Sequence, residues 1–147
     1  NGVAIHVVGV KNENNELKRR IDAENLSDII FLQGFSNDTS IWLRSAHFYL
    51  STSRWEGLPI SVLEASAHGL PIIATDVVGN RDAVLDGKTG ILFSLEEPAK
   101  AVEAILGLVQ KPALYKHFSS EGIHLIKNKF AVLEMVRKTE ELYFKLL

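Results

Sequence analysis

Apolar positions along this chain follow two spacings that take turns. Short runs rich in β-branched residues read as buried strands at residues 3–8, closed by Gly9, and at 29–32, ending at Gly34. Three more follow at 48–50, 71–74 and 90–93, the last after the turn Asp86-Gly87-Lys88. Between them lie helix-type segments. Residues 12–25 are polar, with Leu17 and Ile21 as a thin apolar stripe. Residues 38–46 form a short helix capped by Asn37 or Asp38. A third helix runs from Pro59, as its first residue, to about His68 and stops at Gly69, where a left-handed cap is easy. From Glu96 onward everything reads as helix. Val102, Ile105, Leu106 and Val109 follow i, i+3, i+4, i+7, and Val132, Met135, Val136, Leu142, Tyr143 and Leu146 keep the same period. Pro98 and Pro112 sit near helix starts, where proline is tolerated.

Strands alternating with helices predict an α/β domain, a Rossmann-like parallel sheet with flanking helices and a helical C-terminal part. In such sheets ligands bind beyond the carboxyl ends of the strands. Those ends carry Gly9, Gly34, residues 51–56 and residues 75–80. No repeat, low-complexity tract or linker interrupts the pattern, and 147 residues fit one domain.

Composition narrows the function. A formal charge of −2 predicts no surface for nucleic acid or anionic membrane. The chain has no cysteine, which excludes disulfides and thiolate metal sites and fits the cytosol. No apolar run approaches the roughly 20 residues of a membrane span, and no signal peptide is seen. The chain starts Asn1-Gly2 straight into a strand-like run, so it reads as cut from a longer polypeptide.

The chemistry concentrates in residues 53–80, where Glu56 and Glu64 stand eight positions apart around Gly57 and Pro59. If Pro59 opens the helix, the amides of Ile60, Ser61 and Val62 lack partners within it and face outward with the positive end of its dipole. That arrangement suits a diphosphate. Gly57 lets backbone approach a ligand closely. Glu56 lies at the same mouth, where its carboxylate accepts hydrogen bonds from sugar hydroxyls. Glu64 falls at the edge of the Ile60-Leu63-Ala67 face, partly desolvated and in want of hydrogen-bond donors such as the two hydroxyls of a ribose. Two plainer roles compete: Glu64 pairing with His68, and Glu56 as an ordinary charge near a helix start.

The segment EGLPISVLEASAHGLPIIATDVVGNRDAVLDGKTGILF resembles the C-terminal, donor-binding half of retaining glycosyltransferases of family 4, which have the two-domain GT-B architecture. The paired glutamates, the small-residue helix, G-x-P and the closing T-G-I-L-F carry the likeness, with support from FLQGF, VVG and the final KFAVLEMVRKTEELY. The resemblance implies roles. Glu56 is the catalytic-site carboxylate on the transferred sugar. Gly57, Leu58, Ile60 and Ser61 hold sugar and diphosphate through backbone amides. Glu64 binds the ribose, and Gly34, Phe35 and Ser36 border the nucleobase. The substrate is a nucleotide sugar, a UDP-sugar foremost, with no cofactor and no metal. The acceptor is a glycan or a lipid-linked molecule, as in polysaccharide synthesis.

The match has departures. Pro59 has no N–H to offer a sugar, Gly9-Val10-Lys11 lacks a second glycine, and His47 stands where aspartate is common. The family's arginine and lysine for the diphosphate lie on elements upstream of Asn1, as does the acceptor domain. The missing first strand-helix unit implies, in the family order 3-2-1-4-5-6 with the residue 3–8 strand as number 2, a gap beside the residue 48–50 strand or direct pairing with it. The isolated chain is then expected to transfer no sugar, and the whole protein to be cytoplasmic, with peripheral attachment to the inner membrane face left to the missing domain. Two alternatives stay open: a nucleotide-sugar epimerase-like domain, and a non-catalytic module binding a nucleotide or a protein.

The remaining candidates read as structural. Arg54 and Arg81 are surface arginines, Arg81 beside Asp82, although either is placed to replace the lost basic pair. Lys18, Arg19 and Arg20 form a solvated face. The five histidines have no metal spacing, and Trp42 and Trp55 suit core or rim packing. The 132–146 stripe is expected to be core or the surface that meets the missing domain.

Overall fold

A computed structural model describes residues 2–9 and 15–146. Val10 and Lys11, and with them the second half of the Gly9-Val10-Lys11 loop, lie outside the described residues, as do positions 12–14 at the start of the expected first helix. The described chain forms strands β1 (Ile5–Val8), β2 (Ile30–Gly34), β3 (Tyr49–Ser51), β4 (Ile72–Thr75) and β5 (Gly90–Phe93). The helices are α1 (Asn15–Ala23), α2 (Ser40–Ser45), α3 (Ile60–Ala67), α4 (Val78–Ala83), α5 (Ala99–Gln110), α6 (Pro112–Lys129) and α7 (Val132–Leu146). The chain divides into two units, the first ending at Trp42 and the second starting at Leu43.

In the first unit, β1 and β2 pair in parallel, Ile5 opposite Ile30, with an irregularity between Val7 and Val8. A parallel pair needs a crossover, which α1 supplies, with Ile21 buried. His6 stacks on Phe31 and its Nδ1 meets the Gln33 amide at 2.8 Å. Asp38 is the residue that turns the chain into α2, because its Oδ1 accepts from the Ser40 amide at 2.9 Å and the Ser40 hydroxyl at 2.6 Å.

The second unit holds a three-stranded parallel sheet of order β3-β4-β5. With β1 as number 2, the pairs β1-β2 and β3-β4-β5 are the expected 3-2 and 4-5-6. Among the described residues β1 pairs with β2, and β3 pairs with β4. The middle strand β4 is buried along its whole length, as a parallel strand covered on both faces must be. Its side chains alternate: Ile72 and Ala74 join Leu43, Val62, Ala65, Leu70, Ala83 and Val84 in one core, while Ile73 joins Phe93, Leu108 and Phe118 in another.

The long helices depart from expectation on their inner faces. In α5, Ile105 and Leu108 pack inward with Ala101 and Ala104, whereas Val102, Leu106 and Val109 stay exposed. The stripe is real but rotated, because alanines let the helix lie closer to the sheet than its bulky residues would. The α7 stripe is not core, since no residue of that helix is buried. Its order comes from its own surface, where Arg137 bonds Glu134 and Glu141 and Lys138 lies 3.5 Å from Glu134.

Those partners hold the Glu134 carboxyl at about 2, well below the usual 4.5, chiefly through the Arg137 hydrogen bond. A depressed carboxyl supports the folded form above its unfolded pKa and loses that support as pH falls through the folded one. We therefore expect α7 helicity to weaken as pH drops from about 4.5 toward about 2. A carboxyl-carbon NMR titration should place the Glu134 midpoint near 2, and Arg137→Ala should return it toward 4.5. An unshifted midpoint in the parent chain refutes the pairing.

Candidate functional site

The site residues of the second unit sit where β3 and β4 end. From the buried Ser51 the chain leaves β3 and turns toward α3. Pro59 is not the first helical residue. It is the N-cap, extended at φ −76° and ψ 91°, and α3 begins at Ile60. The Pro59 carbonyl accepts from the amides of Val62 at 3.0 Å and Leu63 at 3.2 Å. The Val62 amide is therefore occupied, contrary to expectation. Ile60 and Ser61, at the first two helical positions, have no helix carbonyl behind them, and no side chain caps the end. At its other end α3 closes on Gly69, φ 76°, with the Gly69 amide on Ser66 O at 3.0 Å and the Leu70 amide on Ala65 O at 3.1 Å, as a left-handed cap requires.

Glu56 is half-buried, and its Oε1 accepts from the Ser53 hydroxyl at 2.7 Å. Ser53 is held in turn, because the Thr75 hydroxyl donates to its carbonyl at 2.5 Å. The Asn80 amide group then donates to the Thr75 carbonyl at 2.9 Å and to its hydroxyl at 3.2 Å. Thr75 and Asn80 are fully buried. Next to Asn80, Gly79 lies flat against the backbone of the glutamate turn, so that a Cβ there would come within 2.3 Å of the Gly57 carbonyl oxygen. Hence β4 and α4 together shape the loop that carries Glu56.

A depression of about 390 Å³ opens beside Glu56, lined by Arg54, Trp55, Asp76, Val77, Val78 and Arg81. Trp55 is a rim residue, 83% exposed. Arg81 pairs with Asp76 rather than with its neighbour Asp82, Nε to Oδ1 at 2.6 Å and Nη2 to Oδ2 at 3.1 Å. The hydrogen bonds lower the Asp76 carboxyl and raise the guanidinium, so both stay charged. Arg54 is exposed and reaches the same depression.

Glu64 is exposed rather than partly desolvated. It lies one step round the helix from the buried Val62, Ala65 and Ser66, and that step reaches solvent. Nor does it pair with His68 through side chains: the His68 ring bonds the Glu64 carbonyl, Nδ1 to O at 2.9 Å. Leu58 is 48% exposed and Gly57 is open. The loop Gly34-Phe35-Ser36 belongs to the first unit. There Gly34 ends β2 at φ 73°, Phe35 is 76% exposed, and the Ser36 hydroxyl bonds the Asp38 carbonyl at 2.8 Å.

The sequence places residues 75–80 at a ligand-facing strand end but gives Thr75, Gly79 and Asn80 no individual part in this arrangement. The available signal was the close repeat of polar residues after an apolar strand, at the carboxyl end where sites gather. Among the described residues no group of three or more His, Cys, Asp or Glu side chains is placed to hold a metal, and no helix is long and apolar enough to cross a membrane.

The chain is similar to known proteins in both sequence and fold. The chain is 27% identical over 135 residues to the lipopolysaccharide core biosynthesis mannosyltransferase LpsB of Rhizobium meliloti (strain 1021), covering 90% of this chain and 38% of that protein. It is 27% identical over 144 residues to the poly(ribitol-phosphate) alpha-N-acetylglucosaminyltransferase of Staphylococcus aureus (strain COL), covering 97% of this chain and 29% of that one. The chain thus spans about a third of the length of such relatives. The crystal structure of TarM from S. aureus superposes with a TM-score of 0.88 at 27% identity, over 97% of this chain and 29% of that one. Anabaena HepE in complex with UDP-glucose shares the fold at TM-score 0.88 and 20% identity, over 97% and 41%. The family model for glycosyl transferases group 1 matches residues 1–125, so the chain belongs to that family and has the fold of the donor-binding half of a GT-B glycosyltransferase.

Proposed function

We propose that this chain binds a nucleotide diphosphate sugar, a UDP-sugar foremost, as the donor-binding part of a retaining hexosyltransferase acting on a glycan or lipid-linked acceptor. The acceptor and its catalytic groups belong to a further, N-terminal domain, and the chain alone transfers nothing. The work is cytoplasmic, and contact with the inner membrane face belongs to that other domain. The observation that carries the proposal is the tethered Glu56 carboxylate beside a helix start with two unpartnered amides.

Glu56 accepts hydrogen bonds from hydroxyls of the transferred sugar, with Gly57 and the Leu58 amide alongside. The Ile60 and Ser61 amides and the α3 dipole take the diphosphate, whose negative charge grows as the glycosidic bond breaks. Such preorganised groups stabilise a leaving diphosphate without a metal. Glu64, solvated and unpaired among the described residues, accepts from the ribose hydroxyls. By the resemblance, the loop Gly34-Phe35-Ser36 borders the nucleobase. The solved S. aureus TarM complex that contains UDP supports a uridine nucleotide.

Calorimetry with UDP, GDP and their sugars tests this. Glu64→Ala should weaken nucleotide binding about 10- to 100-fold, since hydrogen bonding of the ribose to this exposed charged group is worth about 1.5–3 kcal/mol in all. Its circular dichroism and melting should stay unchanged, because position 64 is exposed. If no nucleoside diphosphate binds, either to this chain or to a longer polypeptide containing it, the assignment is wrong.

A further inference from the structure

We infer that Ser53, Thr75 and Asn80 are positioning residues for Glu56, a partly buried relay that sets its carboxylate for the sugar half of the substrate. The inference rests on the sugar-binding role proposed for Glu56. The relay runs Asn80 to Thr75 at 3.2 Å, Thr75 to the Ser53 carbonyl at 2.5 Å, and Ser53 to Glu56 Oε1 at 2.7 Å. Each link fixes the next: Asn80 orients the Thr75 hydroxyl by donating to it, so that its own hydrogen points at Ser53. The Ser53 carbonyl anchors the turn, and its hydroxyl holds one carboxylate oxygen. The other oxygen remains for a ligand.

Burial argues that this relay serves more than stability. Asn80 is fully buried, yet its Oδ1 has no hydrogen-bond partner. A buried acceptor left unpaired is destabilising, so an apolar residue of similar size would hold α4 at less cost. What such a residue cannot do is donate to Thr75. The unpartnered acceptor lies where a carboxylate proposed to contact the substrate needs support from behind.

The test compares affinities for UDP and GDP with those for UDP-glucose, UDP-galactose, UDP-N-acetylglucosamine and GDP-mannose. The ratio of sugar nucleotide to bare nucleotide isolates the sugar contribution. Ser53→Ala and Thr75→Val should each cut that ratio about tenfold, the worth of one hydrogen bond to a charged group, while bare nucleotide affinity moves less than about twofold. Thr75→Ser keeps the hydroxyl and should keep the ratio, which a loss through packing would not. An unchanged ratio in Ser53→Ala and Thr75→Val overturns the relay, and so does an equal fall for bare and sugar nucleotides. If the parent chain itself binds no sugar nucleotide better than its bare nucleotide, the Glu56 role fails and the relay with it.

Discussion

Gly79→Ala is expected to lower sugar-nucleotide affinity about 100-fold while the chain still folds, because displacing Glu56 forfeits two hydrogen bonds from sugar hydroxyls to a charged group, about 1.5 kcal/mol each. The added Cβ would stand 2.3 Å from the Gly57 oxygen and 2.6 Å from the Glu56 oxygen. Both are backbone atoms, so no side chain can swing aside. Asn80 ties the adjacent position to Thr75 through two hydrogen bonds, which leaves α4 little room to retreat. The Glu56-Gly57 peptide is then what moves, and the carboxylate moves with it. Helix propensity alone points the other way, since alanine gains about 1 kcal/mol over glycine inside a helix. Overpacking of about 1–3 kcal/mol should outweigh it. Calorimetry and denaturant unfolding measure the two effects separately. Unchanged affinity would show that the contact does not govern the turn.

Phe118→Ala should produce the largest loss of stability, about 3–5 kcal/mol. Phe118 is 1% exposed on α6 and fills the core that also holds Ile73, Phe93 and Leu108. Removing the ring strips contact from β4, β5 and α5 together. A domain of this size has a total stability of about 5–15 kcal/mol, so a large share goes at once. Urea unfolding should show the midpoint falling with little change in slope. Phe118→Leu, which fills most of the volume, should recover much of it. A loss below about 1 kcal/mol in Phe118→Ala would mean that the core closes over the gap.

The strands were legible because a parallel sheet covered on both faces demands unbroken apolar runs, and Ile72 to Ala74 and Gly90 to Phe93 supply them. The end of α3 was equally plain, since Gly69 is where the helix must reverse hand. Its start was off by one residue. Proline fixes φ but not ψ, so nothing local decides whether Pro59 is the first helical residue or the cap. The short α4 went unseen because Val-Gly-Asn-Arg-Asp-Ala has weak helix formers and no apolar period. Tertiary contact at Gly79 and Asn80 holds it. Glu64 shows the limit of helical wheels. A face edge is half-buried only if a neighbour reaches over it, and the partner helix meets Ser66 and Gly69 instead. Spacing and the resemblance singled out both glutamates, whereas the support behind Glu56 comes from a strand end and a helix residue, Thr75 and Asn80, 19 and 24 positions downstream, with the Thr75 hydrogen bond spanning 22 positions.

The close approach of α3 and α6 leaves a mark on how such sequences are free to drift. A Cβ on Gly122 would sit 2.8 Å from the Ser66 hydroxyl, and one on Gly69 would sit 2.9 Å from that of Ser119. Position 122 therefore grows most readily in a lineage where position 66 has first shrunk. Ser66→Ala removes the obstructing atom and also a buried hydroxyl with no partner. The order of steps matters: Ser66→Ala then Gly122→Ala is a passable route, while the reverse crosses a clash. Homologues should accordingly carry linked changes at 66 and 122, two positions 56 apart in the chain.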